Sequence, residues 1–255
     1  MKPGSSLPIE QHNIEIQINR AIWERKPALR AVYRGFYQEI AAATTRGVPG
    51  ETVELGSGMG NIKQFLPHCV TTDIFNNIWL DRVETAYALS FSNSSVANLI
   101  MFDVFHHLEF PGLAFEEAAR VVAPGGRMII FDQDMSLLSR CVCRVFHHEP
   151  VSMGKQLHWN APASFSPAHS AYYAATENAY RFFVRGELSE ERTAAWKLIE
   201  CRRICSFAWL GCGGFRGTQL YPDVALPAIR LADRLLSHLP SIFSARLLVV
   251  LERRA

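Results

Sequence analysis

The sequence predicts an α/β fold, a mostly parallel sheet with helices packed on both faces. Two observations lead there. Short apolar runs alternate with helical runs from Thr52 to Phe131, the pattern of strand and crossover helix. A glycine-rich loop, Gly56-Ser57-Gly58-Met59-Gly60, stands directly between the first such strand and a following helix.

The elements follow in order. Residues 1–13 read as a loose tail. Residues 14–45 carry apolar positions at Ile14, Ile18, Ile22, Leu29, Val32, Tyr33 and Phe36, a helical spacing that Pro27 divides in two. Gly47-Val48-Pro49-Gly50 stops the helix. Strands are expected at 52–55, 69–73, 96–102 and 127–131, a short helix at 61–66 and a longer one at 113–122. Beyond Asp134 the alternation breaks. Helices are expected near 136–147, 168–185 and 189–200, in a segment long enough to form a cap. A strand is expected at 203–210, a helix at 226–239 and a last apolar strand at 246–252. This divides a single domain into a helical lid (14–45), a cofactor-binding core (51–134), an inserted cap or substrate segment (135–200) and a C-terminal part of the sheet (201–255).

The 255 residues are 49% hydrophobic and 20% charged, with a formal net charge of +2. That composition suits a globular chain that buries its own core. No basic run suggests a nucleic-acid partner. No apolar run reaches the ~18 residues of a spanning helix, and the N-terminus lacks the apolar stretch of a signal peptide. The six cysteines include no Cys-x-x-Cys pair and are expected as reduced thiols in a cytoplasmic protein.

The glycine loop admits either a dinucleotide or S-adenosylmethionine. A dinucleotide fingerprint needs Gly-x-Gly-x-x-Gly, and here the sixth position is Asn61. Glu54, two residues before Gly56, suits the ammonium of an amino acid and would repel a pyrophosphate. Asp73, at the end of the next strand, is placed to accept hydrogen bonds from both ribose hydroxyls; alternatively it caps a turn.

Taken together, Val53-Glu54-Leu55-Gly56-Ser57-Gly58-Met59-Gly60, Asp73, Leu89-Ser90-Phe91, Phe102-Asp103-Val104-Phe105-His106-His107 and Arg120-Val121-Val122-Ala123-Pro124-Gly125-Gly126-Arg127 resemble the ordered motifs of class I S-adenosylmethionine-dependent methyltransferases, the small-molecule, type 11-like group. The resemblance covers residues 51–134. It implies a Rossmann-like seven-stranded, mostly parallel sheet with an antiparallel last strand and a helical lid. It also implies S-adenosylmethionine as cofactor, with Glu54, Gly56, Ser57, Gly58, Gly60, Asp73, Ile74, Thr85, Ala86, Phe102 and Asp103 as its site. One position departs from the family: an Asp that commonly binds the adenine amino group is Thr85 here, leaving the Thr85 hydroxyl and the backbone around Ala86 for that task. Phe146-His147-His148-Glu149-Pro150 and the Gly213-Gly214 region are similar to bacterial methyltransferases of glycan or natural-product pathways.

Methyl transfer to an alcohol or phenol benefits from a general base. His106 follows the fourth strand and Asp132 ends the fifth, so the two are expected to meet above the sheet as a catalytic dyad. His107 either lines the substrate site or caps the next helix. His147, His148 and Tyr33 are further candidates for the substrate pocket, and no metal is expected. The expected activity is O- or N-methylation of a small molecule by a monomer or homodimer. A non-methylating cyclisation or rearrangement on the same cofactor, or a non-catalytic binding module, stand as alternatives.

Overall fold

The structure is a computed structural model that describes residues 9–146, 157–167, 173–187 and 190–255. Helices α1 (Ile9–Arg25) and α2 (Pro27–Ala43) lead into β1 (Glu51–Leu55), β2 (Val70–Asp73), β3 (Arg82–Val83) and β4 (Val96–Phe102). There follow α3 (Pro111–Val121), β5 (Val122–Gln133), α4 (Leu137–Phe146) and α5 (Asn178–Phe183). The chain closes with β6 (Trp196–Cys205), α6 (Phe207–Cys212), α7 (Leu226–Leu236), α8 (Pro240–Phe243) and β7 (Ser244–Arg253).

The seven strands lie in the order β3-β2-β1-β4-β5-β7-β6. Strands β1 to β5 pair in parallel, and β7 is antiparallel to both of its neighbours. Successive side chains of a strand point to opposite faces, which gives the sheet two apolar layers. Leu99, Met101, Met128, Ile130, Leu247 and Val249 pack on one side with Phe115 of α3 and Phe182 of α5. Ile100, Phe102, Ile129, Phe131, Leu248 and Val250 pack on the other with Val32, Phe36 and Ile40 of α2. The break at Pro27 falls where its ring is tolerated, at the first turn of α2.

The C-terminal half differs from expectation. The helix expected over 189–200 is a single 3-10 turn at Glu190–Thr193, after which β6 begins at Trp196, inside the stretch read as a cap. β6 is an edge strand whose exposed positions carry Lys197 and Arg202 alongside Leu198, Ile199 and Cys201, so charges interrupt the apolar alternation that announces a strand. It ends at Cys205, and Ser206 then caps α6 by accepting from the Trp209 N–H, so 207–210 is helical rather than extended. Within 173–187, helix is confined to α5.

Two contacts shape the region above the sheet. The Lys26 ammonium, at the α1–α2 junction, donates to the carbonyls of Gly214 at 2.9 Å and Gly217 at 2.6 Å, strapping the loop after α6 to the N-terminal helices. Asp134 is fully buried and accepts two hydrogen bonds from Arg203 of β6, at 2.7 and 3.2 Å. Among the described residues no helix is long and apolar enough to cross a membrane.

Candidate active site

Parallel strands open their carboxyl ends to a crevice where the strand order reverses, here between β1 and β4. A cavity of about 1100 Å³ occupies that position. Its floor is the glycine loop. Gly56 has φ +63° and Gly58 φ +51°, left-handed values that glycine adopts at no steric cost. A Cβ on Gly56 would run into the Val104 side chain, so the loop lies flat against the end of β4. Gly60, also left-handed, closes the turn through its N–H to the Ser57 carbonyl at 2.8 Å and does not line the cavity.

The loop is tied to β2. The Ser57 N–H donates to the Thr72 carbonyl at 2.8 Å, and the Thr72 N–H donates to the Ser57 hydroxyl at 3.1 Å. The Asp73 carboxylate accepts from the Gly58 N–H at 3.1 Å and faces the cavity. Beside it Ile74 lines the cavity, and Thr85 and Ala86 line it as well. The Thr85 hydroxyl accepts from the Tyr87 N–H at 3.4 Å. Glu84, which the sequence reading passed over, also faces this space while its carboxylate accepts from the Ser90 N–H at 2.9 Å.

Glu54 and Ser57 line a smaller recess of about 150 Å³ behind the loop, shared with Gly56, Phe102, Asp103 and Tyr33. Burial drives the Glu54 carboxyl up to about 8, with Asp73 adding to the shift and Ser57 opposing it. Its Oε2 is buried with no hydrogen-bond partner among the described residues. A buried, orphaned carboxylate oxygen beside a side-chain-free cradle fits an ammonium-bearing ligand such as S-adenosylmethionine.

His106 and Asp132 meet as the sheet topology requires. His106 Nδ1 lies 2.8 Å from Asp132 Oδ1, and its backbone N–H donates to Oδ2 at 3.1 Å. Asp132 is fully buried behind the imidazole, which lines the cavity. Burial raises the Asp132 carboxyl, but the His106 charge, its ring N–H, the Gln133 N–H and Arg246 outweigh it and hold the group below its usual range. With Nδ1–H directed at Asp132, Nε2 is left as the basic nitrogen. The His107 ring lies beside His106, with centroids 4.0 Å apart and planes tilted by 44°, lines the cavity, and places Nδ1 2.8 Å from the Tyr173 carbonyl. His147 and His148 lie outside the described residues.

Asp103 is the one site residue other than glycine in the left-handed region, at φ +56°. Its carboxylate accepts from Arg246 Nη2 at 2.7 Å. Arg246 is fully buried, its guanidinium carbon 4.9 Å from the Trp209 ring centroid and 5.1, 5.2 and 5.4 Å from those of Phe131, Phe36 and Phe102. Burial raises the Asp103 carboxyl despite this partner. Donor atoms of Asp103, His106 and Asp132 all lie within 4.8 Å of one another, a spacing a divalent cation could bridge. Arg246 already supplies Asp103 with positive charge and His106 already engages Asp132, while Arg246 Nε and Nη1 are buried with no hydrogen-bond partner among the described residues. Sequence reasoning missed Arg246. Its signal was a charge set directly ahead of the apolar run Leu247 to Leu251.

Tyr33 of α2 also lines the cavity, and burial raises its phenol well above its ordinary value. The remaining walls come from Ile16 and Asn19 of α1, Phe165, Trp209, and the strapped loop at Gly213–Gly217.

Residues 53–130 match the family model described as "Methyltransferase domain". Comparison with curated proteins finds no sequence match. Among solved structures, a Thermotoga maritima S-adenosylmethionine-dependent methyltransferase, described as a possible histamine N-methyltransferase, superposes with a TM-score of 0.51 at 15% identity, over 92% of this chain and 99% of that one. A putative Haloferax volcanii methyltransferase, in complex with the Trm112 activator, gives 0.49 at 13% identity over 93% and 94%. The geranyl diphosphate C-methyltransferase of Streptomyces coelicolor, in complex with S-adenosylhomocysteine, gives 0.47 at 11% over 88% and 80%. The first of these shares the sheet and its covering helices, and the family match falls on the β1–β5 segment that forms the floor and one wall of the cavity. Residues 53–130, about a third of the chain, thus match a methyltransferase domain model, and they form the core of a Rossmann-like sheet.

Proposed function

We propose that the protein transfers a methyl group from S-adenosylmethionine to an oxygen or nitrogen of a small molecule, with His106 as general base and Asp132 orienting it. The observation that carries this reading is the 2.8 Å pairing of His106 Nδ1 with a fully buried carboxylate, on the wall of the same cavity that the glycine loop and Asp73 line. When bound, S-adenosylmethionine supplies an electrophilic methyl on a sulfonium, which makes positioning a large part of the work.

The chain's own residues divide that work. Gly56 and Gly58 let the ligand approach the backbone, Glu54 receives the ammonium, and Asp73 accepts from the ribose hydroxyls. Ile74, Thr85 and Ala86 would border the adenine, and Phe102 would line the recess beside Glu54. Asp103, fixed by Arg246, faces the methionine end. His106 Nε2 takes the acceptor's proton, and Asp132 stabilises the imidazolium that results. His107 and Tyr33 flank the acceptor, and α1 with α2 closes the cavity as a lid.

Release of S-adenosylhomocysteine, measured over a panel of phenols, alcohols and amines, tests the reaction. His106→Ala is expected to lower kcat by ~10²–10⁴-fold with cofactor affinity retained. Undiminished turnover in that variant removes the dyad from the mechanism. Cofactor binding with no turnover across the panel counts against methyl transfer itself.

A further inference from the structure

Residues 220–242 hold a row of large apolar side chains out in water. α7 turns Leu226 and Ile229 inward against the α2 face of the core. On its opposite face Leu231 and Leu235, one helical turn apart, are 56% and 66% exposed. Val224 ahead of the helix (84%) and Leu239 behind it (51%) continue the row. Leu220, 79% exposed, also lines the mouth of the active-site cavity, so the row runs up to the site.

Basic groups are interleaved with these side chains. Arg234 and His238 are exposed on the outward face, and Arg230 is exposed at its flank with Nη2 on the Ala31 carbonyl at 2.6 Å. The carboxylates of the segment are engaged elsewhere. Asp233 turns inward and accepts from the Phe207 N–H at 2.6 Å, and Asp223 accepts from Gln219 at 2.7 Å. Scattered exposed leucines are ordinary on a protein surface. A continuous row with positive charges between its members is the pattern of a helix lying in a membrane interface.

We propose that this face of residues 220–242 seats on an anionic lipid surface, with Leu231, Leu235 and Leu239 entering the headgroup–acyl boundary and Arg234 meeting lipid phosphate. The leucines leave water, while the Arg234 stem lies along apolar surface with its head at the phosphate level. Each such cation contributes about fivefold in affinity at an anionic surface. The charge pattern favours lipid over a second copy of the chain. A two-fold contact centred on Leu231 and Leu235 would bring the Arg234 side chains of the two copies toward one another, while Asp223, the exposed carboxylate of the segment, stands at the far end of the row.

Co-sedimentation of the full chain with vesicles tests this. Binding is expected to phosphatidylcholine vesicles containing about 30% phosphatidylglycerol, to weaken at least ~fivefold on pure phosphatidylcholine, and to fall steeply with added salt. The double substitution Leu231→Asp with Leu235→Asp is expected to abolish binding while leaving the thermal transition in place, since both side chains already sit in water. Arg234→Gln, the milder change, is expected to weaken binding about fivefold. No binding to the anionic vesicles, or equal binding by the leucine double variant, overturns the proposal. Light scattering that shows a dimer lost in that variant overturns it too, and makes a second copy the occupant.

Discussion

Replacing Glu54 by glutamine tests the cofactor site through proton linkage. The folded protein holds the Glu54 proton up to about pH 8, whereas an ordinary glutamate releases it near 4.5. Folding therefore takes up a proton between those limits, and this group makes stability fall as pH rises through the window. One pKa unit corresponds to about 1.4 kcal/mol, so the two and a half units between 4.5 and pH 7 amount to about 3 kcal/mol. The nearly complete burial of Glu54 leaves little solvent screening to reduce that figure. Glu54→Gln keeps the shape and removes the titration. Urea unfolding is expected to show a variant more stable than the parent by up to about 3 kcal/mol at pH 7, with the gain gone below pH 4.5. Cofactor binding should move the other way. The parent must release the proton to present a carboxylate to the cofactor's ammonium, so its affinity tightens as pH rises toward 8. The variant binds more weakly and without that slope. Titration calorimetry in two buffers of different ionisation enthalpy reads the proton directly. Equal affinities with no proton release would refute a Glu54–ammonium contact. An unchanged stability profile would refute the buried, protonated carboxyl.

Two further outcomes are expected. Asp73→Ala should weaken S-adenosylhomocysteine binding by ~1–3 kcal/mol through loss of charge-assisted hydrogen bonds, read by calorimetry, and an unchanged affinity removes the ribose assignment. Arg246→Met should destabilise the fold by about 1–2 kcal/mol in chemical denaturation, because Asp103 loses its charged partner while its carboxylate, partly open to the cavity, keeps some solvent screening. Adding Asp103→Asn should return most of that loss, and additive losses instead would show that the pair is not coupled.

The N-terminal two-thirds of the sheet, the two-residue β3 apart, was legible because its signals are local. A glycine loop after an apolar run, an acid at the next strand's end and a proline at a helix start each act over a few residues. The meeting of His106 and Asp132 was also legible, since adjacent parallel strands bring their carboxyl ends together whatever their separation in sequence. β6 was not, because Lys197, Glu200, Arg202 and Arg203 break up its apolar positions and its inward residues are few. Arg246 escaped for another reason. A charge at the head of a strand ordinarily faces water, and only the convergence of Phe36, Phe102, Phe131 and Trp209 from four separate elements makes it a buried cation. Nothing in its own neighbourhood of sequence carries that information.

The strand order β5-β7-β6 also sets a timetable. β6 leaves the ribosome before β7, the only strand it pairs with among the described residues, and it cannot join the sheet until β7 has been made and slotted in beside β5. Arg246 rides on β7, and Arg203 reaches Asp134 only once β6 has docked. During synthesis the glycine loop and β1 to β5 can assemble as a parallel unit, while the charges that surround Asp103 and Asp134 arrive together at the end. A nascent chain halted before residue 244 would hold most of the cofactor's cradle and a floor still lacking its positive charge, with an unpaired β6 exposed to other chains.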